Sequence, residues 1–164
     1  MRSVTLGTLG LILAATISAQ TTNPSKLKVD GVGLDSTFAQ VTKALGKPKK
    51  DGKATKEECI GGREKRAEWD GASFWFMDGD SRNKKTFEVK SFEVTSSKYS
   101  VSGIKIGDTE HNVRRRLGTN FTKTDDANGT DIWTYDFSDD NPGSTSIYIS
   151  RGKVIKITSA QQVC

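Results

Sequence analysis

A single histidine, His111, serves the whole 164-residue chain, and only two cysteines accompany it. There is no His-x-x-x-His and no cysteine cluster, so a transition-metal signature is missing. His111 falls on a predicted helix, off its apolar stripe, where a solvated side chain is the ordinary role. No nucleophile is marked beside it, which removes the usual basis for a catalytic triad. The sequence therefore assigns no catalytic residue, no metal ligand and no cofactor. The stretch Asp125-Asp126-Ala127-Asn128-Gly129-Thr130-Asp131 is acidic enough to suggest a calcium loop. It lacks the alternating ligand spacing and the distal glutamate, and Asn128-Gly129 reads better as a hairpin turn.

Long hydrophobic runs are absent too, with one exception at the start. Arg2 precedes an uncharged, largely apolar stretch from Val4 to Ile17, followed by the small pair Ser18-Ala19 before Gln20. That pattern predicts a secretory signal peptide over residues 1–19. It is too short for a membrane span, and no cysteine follows the cleavage point to carry a lipid. The expectation is an exported protein, periplasmic or extracellular, with no stable membrane anchor. Charge of one sign is also in short supply. Without Arg2, the 25 basic residues become 24 against 20 acidic, a net +4. The basic runs Lys47–Lys50, Arg63–Arg66, Lys84-Lys85 and Arg114–Arg116 are scattered and interrupted by acids. Such runs read as solvated faces and give no ground for a nucleic-acid partner.

Two cysteines in an exported chain favour a disulfide, here Cys59 with Cys164, although two unpaired thiols would also satisfy the sequence.

What the chain does have is a repeat. Gly31, Val32, Leu34, Thr37, Val41, Leu45 and Gly46 reappear 72 positions later as Gly103, Ile104, Ile106, Thr109, Val113, Leu117 and Gly118. Each copy predicts a short helix. Asp35 or Ser36 would cap the first and Asp108 the second, and Gly46 and Gly118 would stop them. Three strands follow each helix: 65–70, 73–77 and 87–96 in the first half, 131–138, 145–150 and 153–159 in the second. Asp78-Gly79 and Arg151-Gly152 mark matched turns, and a polar insertion, 80–86, distinguishes the first copy. The third strands end alike, as Val94-Thr95-Ser96 and Ile157-Thr158-Ser159.

Period-two alternation sorts the faces. Phe74, Phe76, Phe92, Val94, Ile147, Ile149, Ile155 and Ile157 make the core face with the helix stripes. Trp75 and Tyr148 then point the other way, at matched positions. Either a loop covers them, or they belong to an interface, where large aromatics are enriched.

The run Ile104-Lys105-Ile106-Gly107-Asp108-Thr109, followed by Val113-x-x-x-Leu117-Gly118, resembles the helix signature of the β-lactamase-inhibitory-protein-like superfamily. That group also contains the small lipoprotein of the outer-membrane barrel-assembly machinery. The resemblance implies a tandem of two helix-plus-meander units whose concave sheet face grips a partner protein. It makes Trp75 and Tyr148 contact residues, with Trp69, Trp133 and Tyr135 as further candidates. The first copy departs from the pattern, with Asp35 where the turn glycine belongs. There is also no lipid-anchoring cysteine and no disulfide within each repeat.

The expected fold is α+β, with two tandem helix-plus-antiparallel-meander repeats over 20–99 and 100–164 and helices on one face. The expected function is a non-catalytic protein-binding module, an inhibitor or envelope assembly factor, whose partner is an extracytoplasmic protein. Two rivals stand beside it: a small hydrolase using Asp136, Asp139 and Asp140, and a self-associating envelope protein.

Overall fold

The computed structural model describes residues 21–58, 61–78, 86–138 and 140–163. The predicted signal peptide, Cys59, Cys164, Gly79, most of the 80–86 insertion and Asp139 lie outside the described residues.

Two sharp hairpins come first in the logic of the fold. Strands β1 (Lys28–Val29) and β2 (Val32–Gly33) pair across Asp30-Gly31, both at positive φ (45° and 94°). Val101 bridges Ile104 across Ser102-Gly103, at 48° and 85°. Two consecutive left-handed residues make the turn that matches natural strand twist. The hairpins also pair with each other. Val29 bridges Val101, the Asp30 N–H donates to Ser100 O (2.9 Å), and the Ser102 N–H donates to Lys28 O (2.8 Å).

Helices α1 (Phe38–Leu45) and α2 (Glu110–Leu117) follow these hairpins. Their N-caps are Thr37 and Thr109, a correction to the expected Asp35, Ser36 and Asp108. Thr37 Oγ1 accepts from Gln40 N, and Gln40 returns its side-chain oxygen to Thr37 N, a reciprocal capping box. Ser36 and Asp108 instead close the preceding turns, accepting from Gly33 N (3.0 Å) and Lys105 N (2.9 Å). Asp35 adopts the left-handed conformation itself, φ 65°, where the second half has Gly107 at 95°. Aspartate tolerates that region better than most residues.

The remaining strands are β3 (Lys50–Asp51), β4 (Thr55–Lys56), β5 (Arg63–Trp69), β6 (Ala72–Met77), β7 (Glu88–Val94), β8 (Thr122–Asp125), β9 (Asp131–Asp136), β10 (Gly143–Ser150) and β11 (Lys153–Gln161). They form one antiparallel sheet in the order β3-β5-β6-β7-β11-β10-β9-β8, with β4 also pairing β5. The architecture is thus α+β, mostly antiparallel sheet with two helices among the described residues. Strand β8 and the short edge pieces β3 and β4 were not expected, because polar strands carry no apolar alternation.

The two meanders meet at β7–β11. Their ladder pairs Ser91 with Ala160, Phe92 with Ser159, Glu93 with Thr158, and Val94 with Ile157. Phe92 stands opposite Phe74, and Ile157 opposite Ile147. Val94 and Ile157, expected as matched strand ends, are instead direct partners across the β7–β11 ladder. Both third strands carry a bulge, beside Trp75/Phe76 and beside Tyr148/Ile149.

The helices and hairpins cover one face of the sheet. Phe38 meets Phe76 edge-on at 5.2 Å, and the Trp69 indole N–H donates to the carbonyl that ends α1, Gly46 O (2.9 Å). In the second half the Tyr135 hydroxyl donates to Gly118 O (3.2 Å). Phe74, Phe76, Phe92, Val94, Ile147, Ile149 and Ile157 are buried, as alternation predicts. Ile155 is not: it is 43% exposed. The bulge leaves Ile155 as the extra residue between Lys156, opposite Tyr148, and Val154, opposite Ile149, so Val154 takes the core position.

Candidate functional site

The opposite face of the sheet carries no helix among the described residues. Register places its side chains in rows. One row runs Arg66, Trp75, Ser91, Ala160, Ser144, Asp136 across β5, β6, β7, β11, β10 and β9. The next runs Glu68, Ser73, Glu93, Thr158, Ser146, Thr134, Thr122. A third holds Lys156, Tyr148, Ile132 and Thr124. Hydroxyls dominate, and the large rings are Trp75 and Tyr148.

Trp75 and Tyr148 both lie on this face and are partly exposed, as the alternation predicts. Their surroundings differ. The Trp75 indole N–H donates to Glu64 Oε2 at 2.7 Å, which fixes the ring against its neighbouring strand. The Tyr148 ring is covered by Lys156, whose Nζ stands 3.9 Å from the centroid and 3.8 Å from Glu93 Oε2. The rings are three strands and four residues apart, roughly 20 Å at ordinary strand spacing and rise.

Trp69, Trp133 and Tyr135 are elsewhere. They are buried at 6%, 0% and 1% exposure on the helix-covered face, and so do not belong to the open one. Cross-strand register decides this: Trp133 pairs with Ile147, and Trp69 with Ala72, both core positions. Trp133 stacks on Phe121 at 4.4 Å with the Arg114 guanidinium 4.3 Å above its ring. Burial pushes the Tyr135 hydroxyl up to about 12, against the opposing pull of the Arg114 charge.

The open face is hollowed around Arg66 and Trp75. A cleft of about 210 Å³ lies between Arg66, Ser73, Trp75, Glu93 and Thr158. An adjoining one of about 530 Å³ is lined by Gly52, Lys53, Thr55, Glu64, Arg66 and Trp75. The break between β3 and β4 brings Lys53 here, and Gly52 makes the approach possible. Its N–H donates to Arg66 O at 2.8 Å, and a Cβ on Gly52 would stand only 2.7 Å from that oxygen. Arg66 and Lys53 were missed in the sequence because Arg63–Arg66 reads as a solvated charge run. The available signal was parity: Glu64, Arg66 and Glu68 alternate with the core positions Ala67 and Trp69.

Asp136 and Asp140 are exposed, and Asp139 lies outside the described residues. His111 is exposed on α2. Among the described residues no three His, Cys, Asp or Glu side chains gather as metal ligands. No helix there is long and apolar enough to cross a membrane. The open face offers ring stacking, hydroxyl hydrogen bonds and cationic groups, which is the chemistry of contact.

No protein-family model and no curated protein matches the chain. Among solved structures it is similar to a cysteine-rich secretory protein from Staphylococcus aureus Mu50, at 14% identity and a TM-score of 0.48, covering 88% of this chain and 48% of that one. It is also similar to an extracellular protein containing an SCP domain from Bacillus anthracis Ames, at 11% identity and a TM-score of 0.43, covering 77% and 43%. The chain thus spans less than half the length of either. These neighbours are SCP-type proteins and not members of the β-lactamase-inhibitory-protein-like superfamily, so the resemblance drawn from Ile104–Gly118 is corrected. That stretch encodes a tight turn, a threonine cap and a glycine stop, local devices that any short helix entering a meander can use. Nothing of either neighbour's activity is carried over.

Proposed function

We propose that this chain is an exported, non-catalytic module that binds a partner protein through its open sheet face, to occlude or to bridge that partner. The observation that carries the reading is Trp75, a large ring left partly exposed on a face with no helix among the described residues, yet held by Glu64. A ring held in one orientation loses little conformational freedom on contact, which favours its use as an interface anchor. The surrounding clefts give such a contact its relief.

We further propose that the chain is a duplication of one helix-plus-meander unit. Equivalent residues bridge one another at Val29–Val101 and again at Glu93–Thr158, which Val94–Ile157 and Phe92–Ser159 flank in the ladder. Bulges, threonine caps and the aromatic-to-glycine hydrogen bonds fall at matched places. A pseudo-twofold axis through Glu93–Thr158 relates Trp75 to Tyr148.

The test is capture from the producer's extracytoplasmic fraction with the chain lacking residues 1–19, beside its Trp75→Ala/Tyr148→Ala variant. A protein retained by the first and lost by the second supports the reading. Retention by both variants alike would remove the open face from the account.

A further inference from the structure

Resting on that reading, we infer that the partner presents an acidic segment to the hollow at Lys53, Arg66 and Trp75. Positive charge is left over at this hollow. Three carboxylates surround it. Glu68 pairs with Lys50 Nζ at 2.8 Å and Glu93 with Lys156, while Glu64 accepts the neutral Trp75 indole N–H and keeps its charge, one against the two of Arg66 and Lys53. Nearby, Asp51 holds Lys65 and Asp70 holds Lys49. The cations are not matched in the same way. Among the described residues neither the Arg66 guanidinium nor the Lys53 amine has a hydrogen-bond or ion-pair partner. Both are exposed beside the cleft of about 530 Å³ that Trp75 also lines.

A residual positive charge next to an aromatic shelf calls for a negatively charged ligand with an apolar part. Arg66 can take a carboxylate through two parallel N–H···O bonds, and Lys53 adds a movable second cation. The neighbouring side chain of the same segment would lie on Trp75. The occupant is placed on the first half of the face alone. The second half answers Arg66 with Ile132 in the equivalent place, and Lys156 there is already committed to Glu93 and Tyr148. Asp136, a carboxylate of the face with no ion-pair partner among the described residues, is four strands from Trp75, roughly 19 Å away. An extended acidic segment along the hollow avoids it.

Random dodecapeptides displayed on phage and panned against the mature chain test this, each retained peptide then being measured on Lys53→Gln/Arg66→Gln. Both substituted side chains are exposed, and an unchanged thermal melt would certify the variant's fold. Retained peptides are expected to be enriched in Asp and Glu. Their affinity should fall at least tenfold on the double variant, less on Arg66→Lys, and steeply with added salt. Neutral or basic peptides, or acidic ones indifferent to the double variant, would overturn the acidic-segment inference. If such peptides are still lost on Trp75→Ala, the face binds but this partner chemistry is wrong. Peptides indifferent to Trp75→Ala, or no enrichment at all, would sink both.

Discussion

At the scale of single residues, Asp78 shows how the fold spends its few buried charges. It is 8% exposed at the end of β6, where burial pushes its carboxyl up. The Arg63 backbone N–H (2.6 Å), the guanidinium bond (2.7 Å) and the Arg63 charge outweigh that, and the group ends below its ordinary value of 3.8. A depressed carboxyl adds stability at pH values above the unfolded value and loses it as pH falls through the folded one. Tyr135 works in the opposite direction. With its hydroxyl raised from 10.0 to about 12, its contribution is complete below pH 10 and disappears as pH climbs to about 12. Unfolding free energy measured across pH should therefore fall off below about pH 4 and above about pH 10. Asp78→Asn should lower stability at neutral pH and flatten the acid limb, whereas an unaltered acid limb would show that Asp78 is not its source. The residues most easily misassigned from sequence are Trp69, Trp133 and Tyr135. Their alternation was plain, but which parity faces the helices depends on partner strands distant in sequence.

At the scale of elements, the helix caps separate close alternatives. Asp35, Ser36 and Thr37 are all good capping residues, and composition could not choose among them. The deciding signal was Gln40, three residues after Thr37, the reciprocal half of the box. Thr37→Ala should cost about 1 kcal/mol by chemical denaturation, a typical loss for a capping side chain. A loss no larger than that from an exposed helix substitution such as Lys43→Ala would deny Thr37 the role. The long inner strands were readable because alternation writes burial directly into the sequence. Bulges were not, since an extra residue is defined only against the partner strand. That is why Ile155 was misplaced on the core face and Val154 overlooked.

At the scale of the whole molecule, the two halves share one core. Leu27, Val29, Val101 and Ile104, all buried at 1% or less, sit where the two hairpins cross-pair, and β7–β11 closes the sheet between the halves. Packing also compensates within each half. Small Ala67 stands opposite large Phe74, and large Trp133 opposite smaller Ile147. A fragment cut at 99/100 would expose a long strand edge and half an apolar core. Neither half, made alone, should sediment as a folded monomer, and mixing them should restore a 1:1 complex. Two independently folded monomers would show that the halves are separate domains.

The break between β3 and β4 has a further effect, on crowding. An open sheet invites other copies to add on at its rims. Here one rim is two pieces of two residues each, and the other, β8, is only four residues with Lys123 among them. Short, charged rims give a neighbouring chain too few consecutive backbone groups to hold. A broad sheet face can therefore stand bare at high concentration without its margins seeding fibrils.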